Sequence, residues 1–164
     1  LMNTQRIHSQ IIRSLNKYER ILQNSSEEEF TRAPSPGAWS RSEVISHILG
    51  VHGWILERIE NWSNKTYKQS KPQPVLVHLI FLIGTLGPKK IKAPELVRDQ
   101  VVVMTREEAS VALNAFKLFL DKVTPIIDAI PSKRGWDHPY LGFLSAHQWF
   151  RLIEIHMRHH EKQL

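Results

Sequence analysis

Cysteine is absent from this chain of 164 residues. That excludes disulfides, thiolate metal ligands and a cysteine nucleophile, and it fits a reducing cytoplasm. Long apolar runs are absent as well. The longest, Val75 to Leu86, is interrupted by His78 and Gly84. It falls short of the ~20 residues that a bilayer-spanning helix needs, so no membrane partner is expected. No segment with a charged start, an apolar centre and a small-residue end opens the chain, and a cytoplasmic location is the expectation. There is no sustained apolar–polar alternation that would demand a sheet, and no internal repeat.

What is present is a balanced globular composition, 41% hydrophobic and 23% charged, in a length that suits one domain over residues 1–164 with a real core. The formal charge is +6, and much of the excess lies in Lys65, Lys68, Lys71, Lys89, Lys90 and Lys92 on either side of the Val75–Leu86 run. No helix carries a continuous Arg/Lys stripe. These lysines read as solvated loops, and no nucleic-acid partner is expected.

Four long helical segments follow from periodicity and capping. Ile7, Ile11, Ile12, Leu15, Tyr18 and Leu22 recur at helical spacing and predict a first helix over about Thr4 to Gln23. After the break at Pro34, Pro36 and Gly37, Ser40 with Glu43 forms a capping box that opens a second helix to about Asn64. Thr105 with Glu108 opens a third to about Ile130, with a kink expected at Pro125, and Ser145 with Gln148 opens the last. Val75–Leu86 is expected to form a short buried helix, with strand as the competing assignment for so short an apolar run. Asp137 to Gly142 reads as a loop. Four amphipathic helices of about 20 residues make an all-α four-helix bundle the expected fold, with a short extra helix in the long crossover between the second and third.

The chemistry concentrates in histidine. His156 and His160 stand at i and i+4 on the last helix, which places two imidazoles on one face about 6 Å apart. His47 follows its N-cap Ser40 by seven residues. If the second and last helices pack antiparallel, all three fall at one end of the bundle. Three imidazoles hold a divalent ion and leave a coordination position open, the usual form of a catalytic site. Trp54 is seven residues after His47 and Trp149 seven before His156, so each shares its histidine's face two turns away. The pair is either core packing beneath the metal or the wall of a pocket. His159 is turned ~100° from its neighbours and faces a rim or solvent. His52 lies off the His47 face, and His147 sits at the opposite height. Ordinary, partly buried histidines are the competing explanation for the whole set.

Gly37-x-Trp39-Ser40-x-x-Glu43-Val44-x-x-His47 resembles the second-helix signature of the DinB/YfiT-like metalloenzyme superfamily, named after DNA-damage-inducible proteins of bacteria. His156-x-x-His159-His160-x-x-Gln163 is similar to its closing signature, and His138-Pro139-Tyr140-Leu141-Gly142 resembles a loop found in many members. The resemblance is specific in these three blocks and loose from about Lys65 to Val103. It implies an up-down-down-up bundle and a histidine triad of metal ligands at His47, His156 and His160. His159 and Gln163 of the closing block, with Trp54 and Trp149 from the register above, are the candidates for lining a pocket or backing the ligands. It also implies a small-molecule substrate and frequent homodimers.

Characterised members include transferases and isomerases that use low-molecular-weight thiols such as bacillithiol or mycothiol, and others labelled hydrolases. The expected cofactor is a divalent metal, with Zn, Ni, Fe and Mn all accepting imidazole. Because the chain has no thiol of its own, a sulfur nucleophile would come from a thiol cosubstrate. A thiol-dependent S-transferase-like activity is therefore the first expectation. The alternatives are a hydrolase using metal-bound water and a non-catalytic stress-response binding module with a vestigial site.

Overall fold

The computed structural model describes residues 3–87 and 95–164. Pro88, Lys89, Lys90, Lys92 and Pro94 lie outside the described residues. The elements in chain order are α1 (Thr4–Asn24), α2 (Glu27–Thr31), α3 (Arg41–Glu60), α4 (Trp62–Lys65), β1 (Tyr67–Lys68), α5 (Val75–Ile83), α6 (Glu95–Arg98), α7 (Arg106–Ile127), β2 (Arg134–His138), β3 (Gly142–Ser145) and α8 (Ala146–His160), closed by a 3₁₀ turn over Glu161–Gln163.

The helix starts follow from their caps. The Ser40/Glu43, Thr105/Glu108 and Ser145/Gln148 boxes all form, with side chain and backbone bonded reciprocally in each. A fourth box, Ser26/Glu29, opens the short α2. Each satisfies two N–H groups that a helix start would otherwise leave without partners. The second predicted helix is shorter than expected. It ends at Glu60, and Asn61, with φ −100° and ψ 30°, separates it from the single turn of α4.

The long helices α1, α3, α7 and α8 make the bundle. Both α1 and α3 pack against α7 and α8. Their apolar stripes meet in one core that includes Ile11, Leu15 and Tyr18 of α1, Ile45, Ile48 and Leu56 of α3, Leu113 and Leu120 of α7, and Phe150 and Ile153 of α8. The Tyr18 hydroxyl donates to the carbonyl of Met157 inside this core, tying α1 to the end of α8 that carries the histidines.

Two expectations are corrected. First, the chain is not purely helical. A three-stranded antiparallel sheet, order β1-β2-β3, flanks the stretch read as a loop, whose residues 139–141 form the turn between β2 and β3. Trp136 pairs with Leu144 and Gly135 with Ser145, and both Trp136 and Leu144 are buried. Strands of five and four residues are too short for alternation to stand out in the sequence. The turn is held by His138, whose Nδ1 accepts the N–H groups of Tyr140 (3.1 Å) and Leu141 (3.3 Å). Only glycine fits at Gly135, where an added Cβ would lie 2.0 Å from the carbonyl oxygen of Leu144. Second, α5 is a helix but not a buried one. Val77 and Ile80 face inward, whereas Leu82 is 82% exposed and Ile83 68%. A single helix laid on the outside of a bundle can bury only one stripe, however apolar its other faces are. Among the described residues no helix is long and apolar enough to cross a membrane.

Candidate metal centre

The end of the bundle where α3 begins and α8 ends gathers the histidines. His47 lies in the second turn of α3, and its ring meets those of His156 and His160 with centroids 5.3 and 5.0 Å apart. The rings of His156 and His160, one turn apart on α8, are separated by 4.5 Å. One ligand nitrogen from each of the three residues can be chosen so that all lie within 4.8 Å of one another. Farther along α3, His52 meets His156 and Trp54 meets Trp149, so α3 and α8 run antiparallel.

The nitrogens facing the centre can be assigned from their partners. The Nδ1 of His160 lies 2.5 Å from the amide oxygen of Gln163. That oxygen only accepts, so Nδ1 carries the proton of the neutral ring and Nε2 keeps its lone pair. The Nδ1 of His156 is engaged by Nε2 of His52 at 2.9 Å, which also leaves Nε2 of His156 pointing inward. The two Nε2 atoms face each other at 2.9 Å. The Nδ1 of His47 is buried without a hydrogen-bond partner. Trp39 covers His47, ring centroids 5.0 Å apart.

Burial keeps these imidazoles neutral. It pushes His47 down to about 4, with His160 adding to the effect. Burial holds His156 well below the ordinary histidine range, with His52, His160 and His47 acting the same way. His160 is lowered by burial and by His159, with its bond to Gln163 opposing them. Neutral imidazole is the form that ligates a metal. Neutral convergent donors, an orphaned buried nitrogen on His47 and outer partners on the other two rings are a fitting environment for a divalent cation. Carboxylates near the cluster are committed elsewhere. Glu43 closes its capping box, Glu154 holds Arg151 and Arg158, and Glu161 accepts from Ser14 and Lys17.

The other expected residues fall around this centre. Gln163 holds His160 as described. His159 sits beside His160 with ring centroids 5.5 Å apart but outside the cluster. Trp54 and Trp149 meet edge to face, centroids 6.0 Å apart, two turns from the histidines. Trp149 is 3% exposed and stacks on Trp136 at 4.8 Å, so it belongs to the core. Trp54 is 47% exposed and lies with Trp136 beneath the guanidinium of Arg58. His147 is not part of the cluster. His52 is the residue that sequence reasoning set aside. It reaches His156 from the flank of α3, a contact that no single-helix periodicity reports.

The depressed histidines carry a pH consequence. His138 is pushed by burial to about 4 from 6.5 and, when neutral, its Nδ1 accepts the two turn N–H groups. In the unfolded chain it titrates near 6.5, so between about 6.5 and 4 the unfolded state takes up a proton that the folded state refuses. Stability is full above about pH 6.5 and falls as acid approaches pH 4. His138 accounts for up to about 3 kcal/mol of that loss, and His47 adds to it in the same window. Urea midpoints of the metal-free protein at pH 7.5 and pH 4.5 check this; equal midpoints would contradict it.

No protein-family model and no curated protein matches this chain. Among solved structures it is similar to YfiT from Bacillus subtilis, described as "a probable metal-dependent hydrolase with an unusual four-helix bundle topology". The TM-score is 0.62 at 12% identity, over 96% of this chain and 81% of the other. The chain has the fold of YfiT. At that identity the likeness speaks for the architecture. The YfiT-like bundle together with the cluster of His47, His156 and His160 fits a metal site.

Proposed function

We propose that this protein is a divalent-metal-dependent enzyme, with His47, His156 and His160 as the metal ligands, and that it hydrolyses a small-molecule substrate. The observation that carries the reading is the convergence of three neutral imidazoles from α3 and α8 with their ligand nitrogens within 4.8 Å. The description of YfiT as a probable metal-dependent hydrolase supports the reaction class. A divalent ion held there would act as a Lewis acid, bringing a bound water or thiol toward ionisation near neutral pH. The chain's own part is to bring three uncharged imidazoles together, to hold His160 from behind through Gln163, and to wall the centre with Trp39. With Glu43, Glu154 and Glu161 engaged, the chain presents none of these as a free carboxylate base beside the cluster.

That last point favours a second reading, transfer of a low-molecular-weight thiol to an electrophile. The chain has no cysteine, so the sulfur would come from the cosubstrate, and no protein base is needed once the thiol is acidified. We further take the bundle as up-down-down-up. The pairings of Thr4 with Asp128, Arg106 with Leu22, Lys122 with Glu60 and Ser42 with Met104 support that order.

The test is a panel of ester, amide and phosphate substrates, run beside a thiol with an electrophile, on the metal-loaded protein and on His156→Ala. Turnover by the parent that the variant lacks is expected. Hydrolysis and thiol transfer are told apart by which arm responds. Inactivity in both arms by a fully loaded protein would contradict both readings and leave a non-catalytic module.

A further inference from the structure

His52 is wholly buried, contributes no atom to the three-residue cluster, and yet touches it. Its Nε2 lies 2.9 Å from Nδ1 of His156, while its own Nδ1 is buried without a hydrogen-bond partner. Substrate cannot reach it. Wholly buried and with its Nδ1 unpartnered, the ring is a neutral imidazole and carries one proton on one of its two nitrogens.

The direction of the bonds as they stand follows from Gln163. Its amide oxygen takes the Nδ1 proton of His160, so Nε2 of His160 accepts from Nε2–H of His156. The Nδ1 of His156 then accepts from Nε2–H of His52. The three bonds run one way, from His52 through His156 and His160 to Gln163. In this state His156 has a proton on the very nitrogen that faces the centre. To offer a lone pair there, His156 must carry its proton on Nδ1 instead, and that N–H needs an acceptor in a buried position.

We propose that His52 is the positioning residue of the site: its Nε2 accepts the Nδ1–H of His156 and thereby holds the Nε2 lone pair of His156 toward the cation. This inference rests on the metal-site reading above. The proton count balances. The proton on Nε2 of His156 leaves, the shared proton passes from Nε2 of His52 to Nδ1 of His156, and one proton is taken up at Nδ1 of His52. Both rings are neutral before and after, and the bond between them reverses. His52 does for His156 what Gln163 does for His160. Outer partners of this kind fix the tautomer and orientation of a ligating ring, and losing one typically costs ~10–100-fold in metal affinity.

The experiment measures Zn²⁺ affinity by chelator competition for the full chain, His52→Leu and His52→Gln, beside thermal unfolding of each metal-free form. Leucine keeps the volume and removes the acceptor, whereas the glutamine amide oxygen can replace it. His52→Leu should bind Zn²⁺ about 10–100-fold more weakly, and His52→Gln should recover most of that loss while both variants still unfold cooperatively. Imidazole ¹⁵N spectra of the unmutated protein give a readout that needs no variant. The proton of His52 should sit on Nε2 without Zn²⁺ and on Nδ1 with it. Equal affinity in His52→Leu, no recovery in His52→Gln, or an unchanged His52 tautomer would each overturn the assignment while leaving the three-histidine site intact. An unmutated protein that takes up no Zn²⁺ would remove the site itself and this role with it.

Discussion

Replacing His156 with alanine is expected to abolish stabilisation of the protein by Zn²⁺. His156 is the ring on which the cluster closes. Its Nε2 faces Nε2 of His160 at 2.9 Å, its Nδ1 is held by His52, and its centroid is 5.3 Å from that of His47. Without it two imidazoles remain, with centroids 5.0 Å apart. Loss of an outer partner alone weakens metal binding by ~10–100-fold, and loss of a direct ligand should exceed that. A ligand at 100 times its dissociation constant stabilises a fold by about 2.7 kcal/mol. At a Zn²⁺ concentration that gives the parent this shift, His156→Ala should show almost none. The metal-free variant should also lose about 1–3 kcal/mol, because it leaves buried nitrogens of His52 and His160 unpaired. Paired thermal melts with and without Zn²⁺ separate the two effects. An equal Zn²⁺ shift in both proteins would place the bound metal elsewhere.

Trp149→Ala is expected to be the most damaging single truncation in the layer next to the histidines. The indole is 3% exposed, stacks on Trp136 with planes 11° apart, and donates its Nε1–H to the carbonyl of Trp136 at 3.1 Å. It fastens the hairpin to α8. A buried Trp→Ala change costs about 3–5 kcal/mol, which for a chain of this size lowers Tm by roughly 10–15 °C. Trp54→Ala removes the same side chain from a half-exposed position beneath Arg58 and should cost about 1–2 kcal/mol. Chemical denaturation of the two variants checks the ranking. Equal losses would mean that Trp54 is as much a part of the core as Trp149.

The two tryptophans also show what the sequence could reveal. Trp54 and Trp149 stand two turns from His47 and His156 in opposite directions along the chain, and an antiparallel pair of helices brings them to one level. Periodicity along a helix is strict, so this much was legible, as were the three capping boxes, whose partners are three residues apart. What escaped notice involves neighbours that are distant in sequence or elements too short to show a period. The strands β2 and β3 are so short that the burial of Trp136 and Leu144, partners across the hairpin, shows no period in the sequence. The exposure of Leu82 and Ile83 could not be read from their apolarity, because composition does not say how many sides of a helix will find partners. His52 pairs with His156 across 104 positions of sequence, and its angle on α3 gave no hint of it.

The most direct test of the account is the metal stoichiometry of the purified protein after Zn²⁺ loading and dialysis, measured by elemental analysis beside His47→Ala and His160→Ala. These two residues belong to different helices and have little in common except the centre between them. The account predicts about one equivalent of metal in the parent and loss of it in both variants. A metal-free parent, or variants that keep the parent's full complement, would contradict it.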